Sequence, residues 1–309
     1  MTYLLTNSSA LTALQNLTMT QNSLADTQSE LSTGLAIQHA SDNTSYWSIS
    51  QTMSSDNGAL GAVSSALKGS TSMLSTFTSA IEQSISVVNN IKNDLVAAQN
   101  PGANLTQIQA DIAAQQNSLL QIASGGSFNG QNWLNGTVNG STSAAAIGSV
   151  SLVGSYTNNG GVGYISVSAG SVNLFTNGSG ATSAAAASGG ILATVGSGSG
   201  AVLGASAFNV STSSATSQIA AMLTSVNSTI SSLETAASAL GAAQEQVTTQ
   251  QTFVSTMQTN LSNGVASLVD ADMNQVSTRL QALQTQQQLG VQSLSIANQS
   301  SQMILKLFQ

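Results

Sequence analysis

The sequence predicts a mainly α-helical fold, a long coiled-coil-like rod formed by paired N- and C-terminal regions and carrying a small β-rich insert. Three observations predict it. From Tyr46 to Leu95 every seventh residue is apolar: Tyr46, Met53, Leu60, Leu67, Leu74, Ile81, Val88 and Leu95. The same holds from Ile219 to Leu268, through Val226, Leu233, Leu240, Val247, Val254 and Leu261. Between these registers the chain turns rich in Gly, Ser and Asn. An apolar stripe repeating every ~3.5 residues wants a partner helix lying nearly parallel to it. A rod of this kind buries little of itself alone, so neighbouring copies are expected to bury the rest.

Each element has its own signal. Asn7 or Ser8 is suited to cap a first helix, in which Leu17, Leu24 and Leu31 recur at sevens with Leu11 and Leu14 on the adjoining face. Gly34 interrupts it. Ser41 and Asp42 are good N-caps for the next helix, which carries the Tyr46–Leu95 register. At ~1.5 Å per residue, that register would be about 75 Å long if continuous. Asn100-Pro101-Gly102 breaks it with the chain's one proline. A shorter helix through Leu105, Ile108, Ile112, Leu119 and Ile122 is expected to fold back on its predecessor and end at Ser124-Gly125-Gly126. From about residue 125 to 215 the Asn-Gly pairs at 129, 135, 139 and 177 are hairpin turn signals. β-Prone runs lie at Val150–Val153, Val162–Ser168, Val172–Phe175, Ile191–Val195 and Ala207–Val210, with disorder the competing reading for the Gly/Ser-richest parts. The low-complexity Ala181–Ala187 stretch fits a loop or a short helix. Helix returns near Ser217. There the Ile219 register is expected to alternate with Leu223, Ile230, Ala237, Gln244, Gln251, Gln258 and Val265, three of them glutamines that cost stability but fix register. Asp270-Ala271-Asp272 breaks the pattern and caps a last helix through Val276, Leu280, Leu283, Leu294, Ile304 and Phe308. Apolar residues this near a chain end imply a docked terminus.

Composition narrows the partners. Charged residues are 5% of the chain, against roughly 25% in ordinary domains. The basic residues are Lys68, Lys92, Arg279 and Lys306, and the net charge is -7. Phosphate contacts need clustered Lys and Arg, so neither nucleic acid nor an anionic membrane is expected as a partner. A polar surface of Ser, Thr, Asn and Gln does not repel copies of itself. There is no cysteine, which excludes thiolate metal sites, disulfides and cysteine nucleophiles. Neither a signal peptide nor a membrane span is visible, so export would use a route that reads no cleaved signal.

The two ends resemble bacterial flagellin, the subunit of the flagellar filament. Glu30-Leu31-Ser32-Thr33-Gly34-Leu35-Ala36-Ile37-Gln38-His39-Ala40-Ser41-Asp42-Asn43 is similar to the family's LSSGLRINSAxDD signature, with Ala36 where Arg is common. Thr44-Ser45-Tyr46-Trp47-Ser48-Ile49-Ser50 looks most like alphaproteobacterial members. Ser127-Phe128-Asn129-Gly130, Val269-Asp270-Ala271-Asp272-Met273, Gln286-Gln287-Gln288-Leu289-Gly290 and Ser295-Ile296-Ala297-Asn298-Gln299 match further motifs in order. The resemblance covers about residues 1–140 and 215–309.

It implies an inner coiled-coil domain (1–40 with 270–309), a helical rod domain with a β-hairpin (41–140 with 215–269), and a variable outer insert (141–214). Subunit packing is expected to fall to Leu17, Leu24, Leu31, Leu294, Ile304 and Phe308. The rod core is expected at Leu60, Leu67, Leu74, Ile81, Val88, Leu233, Leu240, Val247, Val254 and Leu261. The partner is the chain itself in a helical homopolymer, with the flagellar type III export apparatus, a chaperone, the filament cap and hook-junction proteins. The location is secreted, on the extracellular flagellum. The hook–filament junction protein and a secreted coiled-coil adhesin are the alternatives.

No chemistry competes with this reading. His39, the sole histidine, has no organised partners for a triad or metal site and fits a helix–helix turn. Asp270-x-Asp272 is better explained by helix capping than by metal ligation. Gly198-Ser199-Gly200 lacks the Lys-Ser/Thr of a phosphate loop. No catalytic residue, cofactor or metal is expected. Hydroxyls in 140–215 are candidate positions for O-linked sugars, whereas the Asn-x-Ser/Thr triplets arise by chance in so Ser/Thr-rich a chain.

Overall fold

The computed structural model of the 309-residue chain describes residues 7–135, 149–157, 160–175, 190–194, 210 and 216–307. The described elements run α1 (Ser8–Thr33), α2 (Thr44–Ala98), α3 (Leu105–Gly125), β1 (Ser149–Thr157), β2 (Gly161–Ser168), a 3-10 turn (Ala169–Val172), α4 (Ile191–Thr194), α5 (Thr216–Val269) and α6 (Met273–Leu307). The chain divides into two compact units. Unit 1 is 1–57 with 258–309, and unit 2 is 58–257.

In unit 2 the heptad stripes are saturated. On α2, Leu60, Leu67, Leu74, Ile81, Val88 and Leu95 are buried. So are five of the six residues three further on, Val63, Phe77, Ser84, Ile91 and Ala98, whereas Ser70 is half-buried. This alternation of three and four is the seam of a coiled coil. On α5, Ile219, Val226, Leu233, Leu240, Val247 and Val254 are buried, alternating with Met222, Thr229, Ala236 and Ala243. The second row expected from the sequence (Leu223, Ile230, Ala237, Gln244 and Gln251) lies one residue further round and is half-buried. Thr229 rather than Ile230 and Ala243 rather than Gln244 take the inner positions, so side-chain size alone does not set the seam. Gln251 still serves register, since its Nε2 donates to Thr71 Oγ1 at 2.9 Å and joins α5 to α2. The buried hydroxyls cost little. Ser84 Oγ donates to Ala80 O at 2.8 Å and Thr229 Oγ1 to Ser225 O at 2.9 Å.

Helix α3 folds back on α2 as expected. Gln115 Nε2 donates to Asp94 Oδ2 at 2.7 Å, while Ile112, Leu119, Leu120 and Ala123 are buried. Asn104 caps its start, its side chain accepting from Gln107 N. At the other end Asn132 Nδ2 donates to the carbonyls of Ala123 (2.7 Å) and Ser124 (3.2 Å), satisfying groups a helix end leaves open. This holds the following Trp133 fully buried, its ring centroid 4.8 Å from that of Phe77. The Asn129-Gly130 turn forms, with Phe128 and Gln131 bridged and both turn residues at positive φ.

Among the described residues the insert holds one antiparallel hairpin, β1–β2. Two expected strands are corrected. Val172 ends the 3-10 turn, and Ile191–Thr194 is one helical turn. Leu174 and Phe175 donate their backbone amides to Leu134 O at 2.8 and 3.0 Å, and Leu192 N donates to Leu174 O. These apolar runs fill a core around the Leu134 loop instead of extending a ladder. Val210 is buried, and its amide donates to Gln109 Oε1 at 2.6 Å. Ala181–Ala187 and residues 207–209 lie outside the described residues.

Candidate functional site

The candidate site is the pair of helices α1 and α6 in unit 1, which pack on each other. Asn7 starts it. Its Oδ1 accepts from Ala10 N at 3.1 Å, capping α1, and its Nδ2 donates to Ala297 O at 2.9 Å, tying α1 to the far part of α6. The helices are therefore antiparallel. Ala10, Ala13, Leu17, Thr20, Leu24, Thr27 and Leu31 form the inner row of α1, and all are buried or half-buried. Opposite, Val276 is buried, and Leu280, Leu283, Gln287, Gly290, Leu294 and Ala297 are half-buried. At Gly290 the approach is close: a Cβ there would lie 3.2 Å from Leu17 Cδ1.

Gly34 ends α1 in the left-handed conformation (φ +75°), where glycine carries no Cβ penalty, and its amide donates to Glu30 O. The chain then bridges to the α5–α6 turn. Ala36 N donates to Val269 O at 2.7 Å and Ala271 N to Gly34 O at 2.8 Å. The cap of α2 differs from expectation. Tyr46 N donates to Asn43 Oδ1, whereas Asp42 faces backwards and its Oδ2 accepts the amides of His39 and Gln38, each at 2.9 Å. Those two backbone bonds hold its carboxyl below the usual carboxylate range. Asp272 caps α6 as expected, its Oδ1 accepting from Asn274 N at 2.9 Å. His39 Nδ1 lies 3.9 Å from Asp42 Oδ2 and the ring is exposed. Among the described residues no cluster of three metal-capable side chains occurs, and no helix is long and apolar enough to cross a membrane.

Of the six residues expected at subunit contacts, Leu17 is 9% exposed and lies inside the α1–α6 seam. Leu24, Leu31 and Leu294 are half-buried in the same seam. The Ile304 side chain and Phe308 lie outside the described residues. All ten expected rod-core residues are buried except Leu261, which is half-buried. The sequence reading did not single out Met19, Leu289, Val291 and Ile296. With Leu11 and Leu14 they turn large apolar side chains to solvent, up to 69% exposed at Leu11 and 67% at Ile296. The available signal was their position off the heptad, in helices otherwise rich in Gln, Ser and Thr.

Long helices with a tightly buried seam in one unit and large bare apolar side chains in the other define a structural protein built for assembly. The description "Bacterial flagellin N-terminal helical region" matches residues 4–139, and "Bacterial flagellin C-terminal helical region" matches 207–308. Over its full length and theirs, the chain is 41% identical to a flagellin of Brucella melitensis and 37% identical to Flagellin C of Rhizobium meliloti. It is 33% identical to Flagellin A of Rhizobium meliloti over the same full coverage. The chain belongs to the bacterial flagellin family, of the alphaproteobacterial type, and is a structural subunit of the flagellar filament. These likenesses do not favour a junction protein or an adhesin.

Proposed function

We propose that the chain enters the filament by burying the outward faces of α1 and α6 against α1 and α6 of neighbouring copies. In this reading 1–40 with 270–309 is the inner domain, 41–140 with 215–269 the surrounding rod, and 141–214 the outer insert. The observation that carries it is the set of unpartnered side chains Leu11, Leu14, Met19, Leu289, Val291 and Ile296. Fully burying one such side chain is worth about 1.5–3 kcal/mol, enough in sum to offset the entropy of fixing neighbours. Leu17, Leu24, Leu31 and Leu294 hold the pair together, and Ile304 and Phe308 are assigned to contacts with other copies. Export through the flagellar type III apparatus with a chaperone, followed by addition beneath a filament cap and beyond hook-junction proteins, completes the reading. The protein acts as a secreted structural element and catalyses no reaction.

The test is seeded elongation followed by electron microscopy. Ile296→Asp is expected to slow elongation more than tenfold, because a carboxylate in an apolar contact costs at least ~1.4 kcal/mol. Its circular dichroism and melting should match the parent. Elongation at the parent rate would overturn the assignment of this face.

A further inference from the structure

We propose that Met19 is a peroxide-sensitive modification site: oxidation to the sulfoxide bars a free copy from the growing polymer, and incorporation shields the residue. The inference rests on the reading of the α1 and α6 faces given above. Met19 is 54% exposed and lies on α1 with the outward side chains Leu11 and Leu14. Its neighbours three and four places away on the helix are Gln15, Asn16, Asn22 and Ser23, so no apolar side chain one turn away covers the sulfur.

Two further observations make this thioether the group that reacts. The chain has no cysteine, so no thiol takes the oxidant first. Helices α1 and α6 contain no Tyr, Trp, Phe or His, which leaves methionine as their readily oxidised residue. The methionines of the unit 2 seam are closed by contrast, Met73 being 7% and Met222 5% exposed. An oxidant therefore reaches the assembly face while the core of unit 2 stays intact. In the reaction the Met19 sulfur gives an electron pair to one oxygen of hydrogen peroxide. The O–O bond breaks as the S–O bond forms, and the other oxygen takes up a proton and leaves as water. Sulfur is oxidised and the peroxide reduced, with no further reactant. A flexible apolar side chain becomes a polar one. On the free monomer the sulfoxide oxygen keeps its water; in an apolar contact between copies it loses that water and gains no donor. The fold of α1 does not depend on this side chain, since Leu17 and Leu24 face the seam instead.

The full-length monomer is treated with hydrogen peroxide, and sulfoxides are located by peptide mass spectrometry. Met19 is expected to oxidise at least about tenfold faster than Met73 and Met222, and to be protected in filaments grown from untreated protein. Treated monomer is expected to elongate seeds at least about fivefold more slowly, and methionine sulfoxide reductases are expected to restore the rate. Met257 and Met273, 37% and 43% exposed, react as well, so two variants isolate Met19. In Met19→Leu the ratio of treated to untreated rate is expected to stay near one. Met19→Gln, polar without any oxidant, is expected to elongate slowly with unchanged circular dichroism. Met19 oxidising no faster than Met73, equally fast in filament and monomer, or a Met19→Leu variant slowed by peroxide as much as the parent, would overturn the proposal. Oxidised Met19 with unslowed elongation, while Ile296→Asp still slows it, would overturn this site and leave the assembly face standing; unslowed elongation in both would overturn the two together.

Discussion

In unit 2 the seam between α2 and α5 has Leu, Ile and Val at heptad positions closed to solvent, with Phe77 and Ile91 alongside the smaller Ser84, Thr229, Ala236 and Ala243 between them. In unit 1 the seam between α1 and α6 uses Ala10, Ala13, Thr20 and Thr27 around a single nearly buried leucine, Leu17, while larger apolar side chains face outward. Both obey the same seven-residue pattern. The difference lies in what fills it: each CH₂ withheld from a seam forgoes about 0.8 kcal/mol. Unit 2 is thus built to fold by itself. Under the proposed assembly, unit 1 is the part whose missing surface neighbours supply. The stripe on α2 carries the contrast within one helix, from Tyr46, which is 48% exposed, to Leu67 and Leu74, which are closed.

Three perturbations break or sharpen this comparison. The largest effect is expected from Phe77→Ala. Its ring is fully buried against Trp133, and truncating such a residue costs about 3–5 kcal/mol. Denaturant unfolding of the monomer should show this loss; a cost near zero would mean that unit 2 is not the stable part. Leu17→Ala is expected to cost about 1–2 kcal/mol and only locally, because its seam is half-open. Hydrogen exchange should quicken in α1 and α6 and stay unchanged in α2 between residues 60 and 95. Uniform quickening would make the two units one cooperative body.

The smallest effect concerns Asp42. Its folded pKa is depressed by the amides of His39 and then of Gln38, so the stability it adds is complete above the unfolded value of about 3.9 and drains as pH falls through the lower folded value. Amide shifts of Gln38 and His39 should titrate with a midpoint below that value and become flat in Asp42→Ala. A midpoint at or above it would remove Asp42 from the loop that joins α1 to α2.

The sequence made the helices legible because their spacing is a direct image of burial. It misjudged the second row on α5 because three and four places past a heptad position both offer candidates, as Met222 and Leu223 or Ala236 and Ala237 do. Ile230 looks more like core than Thr229, yet the seam took Thr229. On α2 the choice was visible: Val63, Phe77 and Ile91 stand at three places on, against Ser64, Thr78 and Lys92 at four. Pairing demands that both helices follow one rule, and carrying the α2 rule across would have placed the α5 seam. The cap of α2 was missed because Ser41, Asp42 and Asn43 are all good caps, and only the backward turn of the Asp42 carboxylate decides among them. The apolar runs at 172–175 and 191–195 read as strands since short apolar stretches do not reveal whether their backbone bonds go to a ladder or to a loop. The outward residues of α1 and α6 carry no periodicity that a single chain must satisfy, so they were the least legible part.

The chain holds two tryptophans, and the division of the fold gives each unit one. Trp133 is sealed beside Phe77, whereas Trp47 is only partly covered. The molecule thus carries two optical gauges: an indole shielded from a soluble quencher from the outset, and another whose quenching would fall if assembly covers the part of unit 1 around α2. In that case the second signal follows the progress of assembly, with the first as its internal standard.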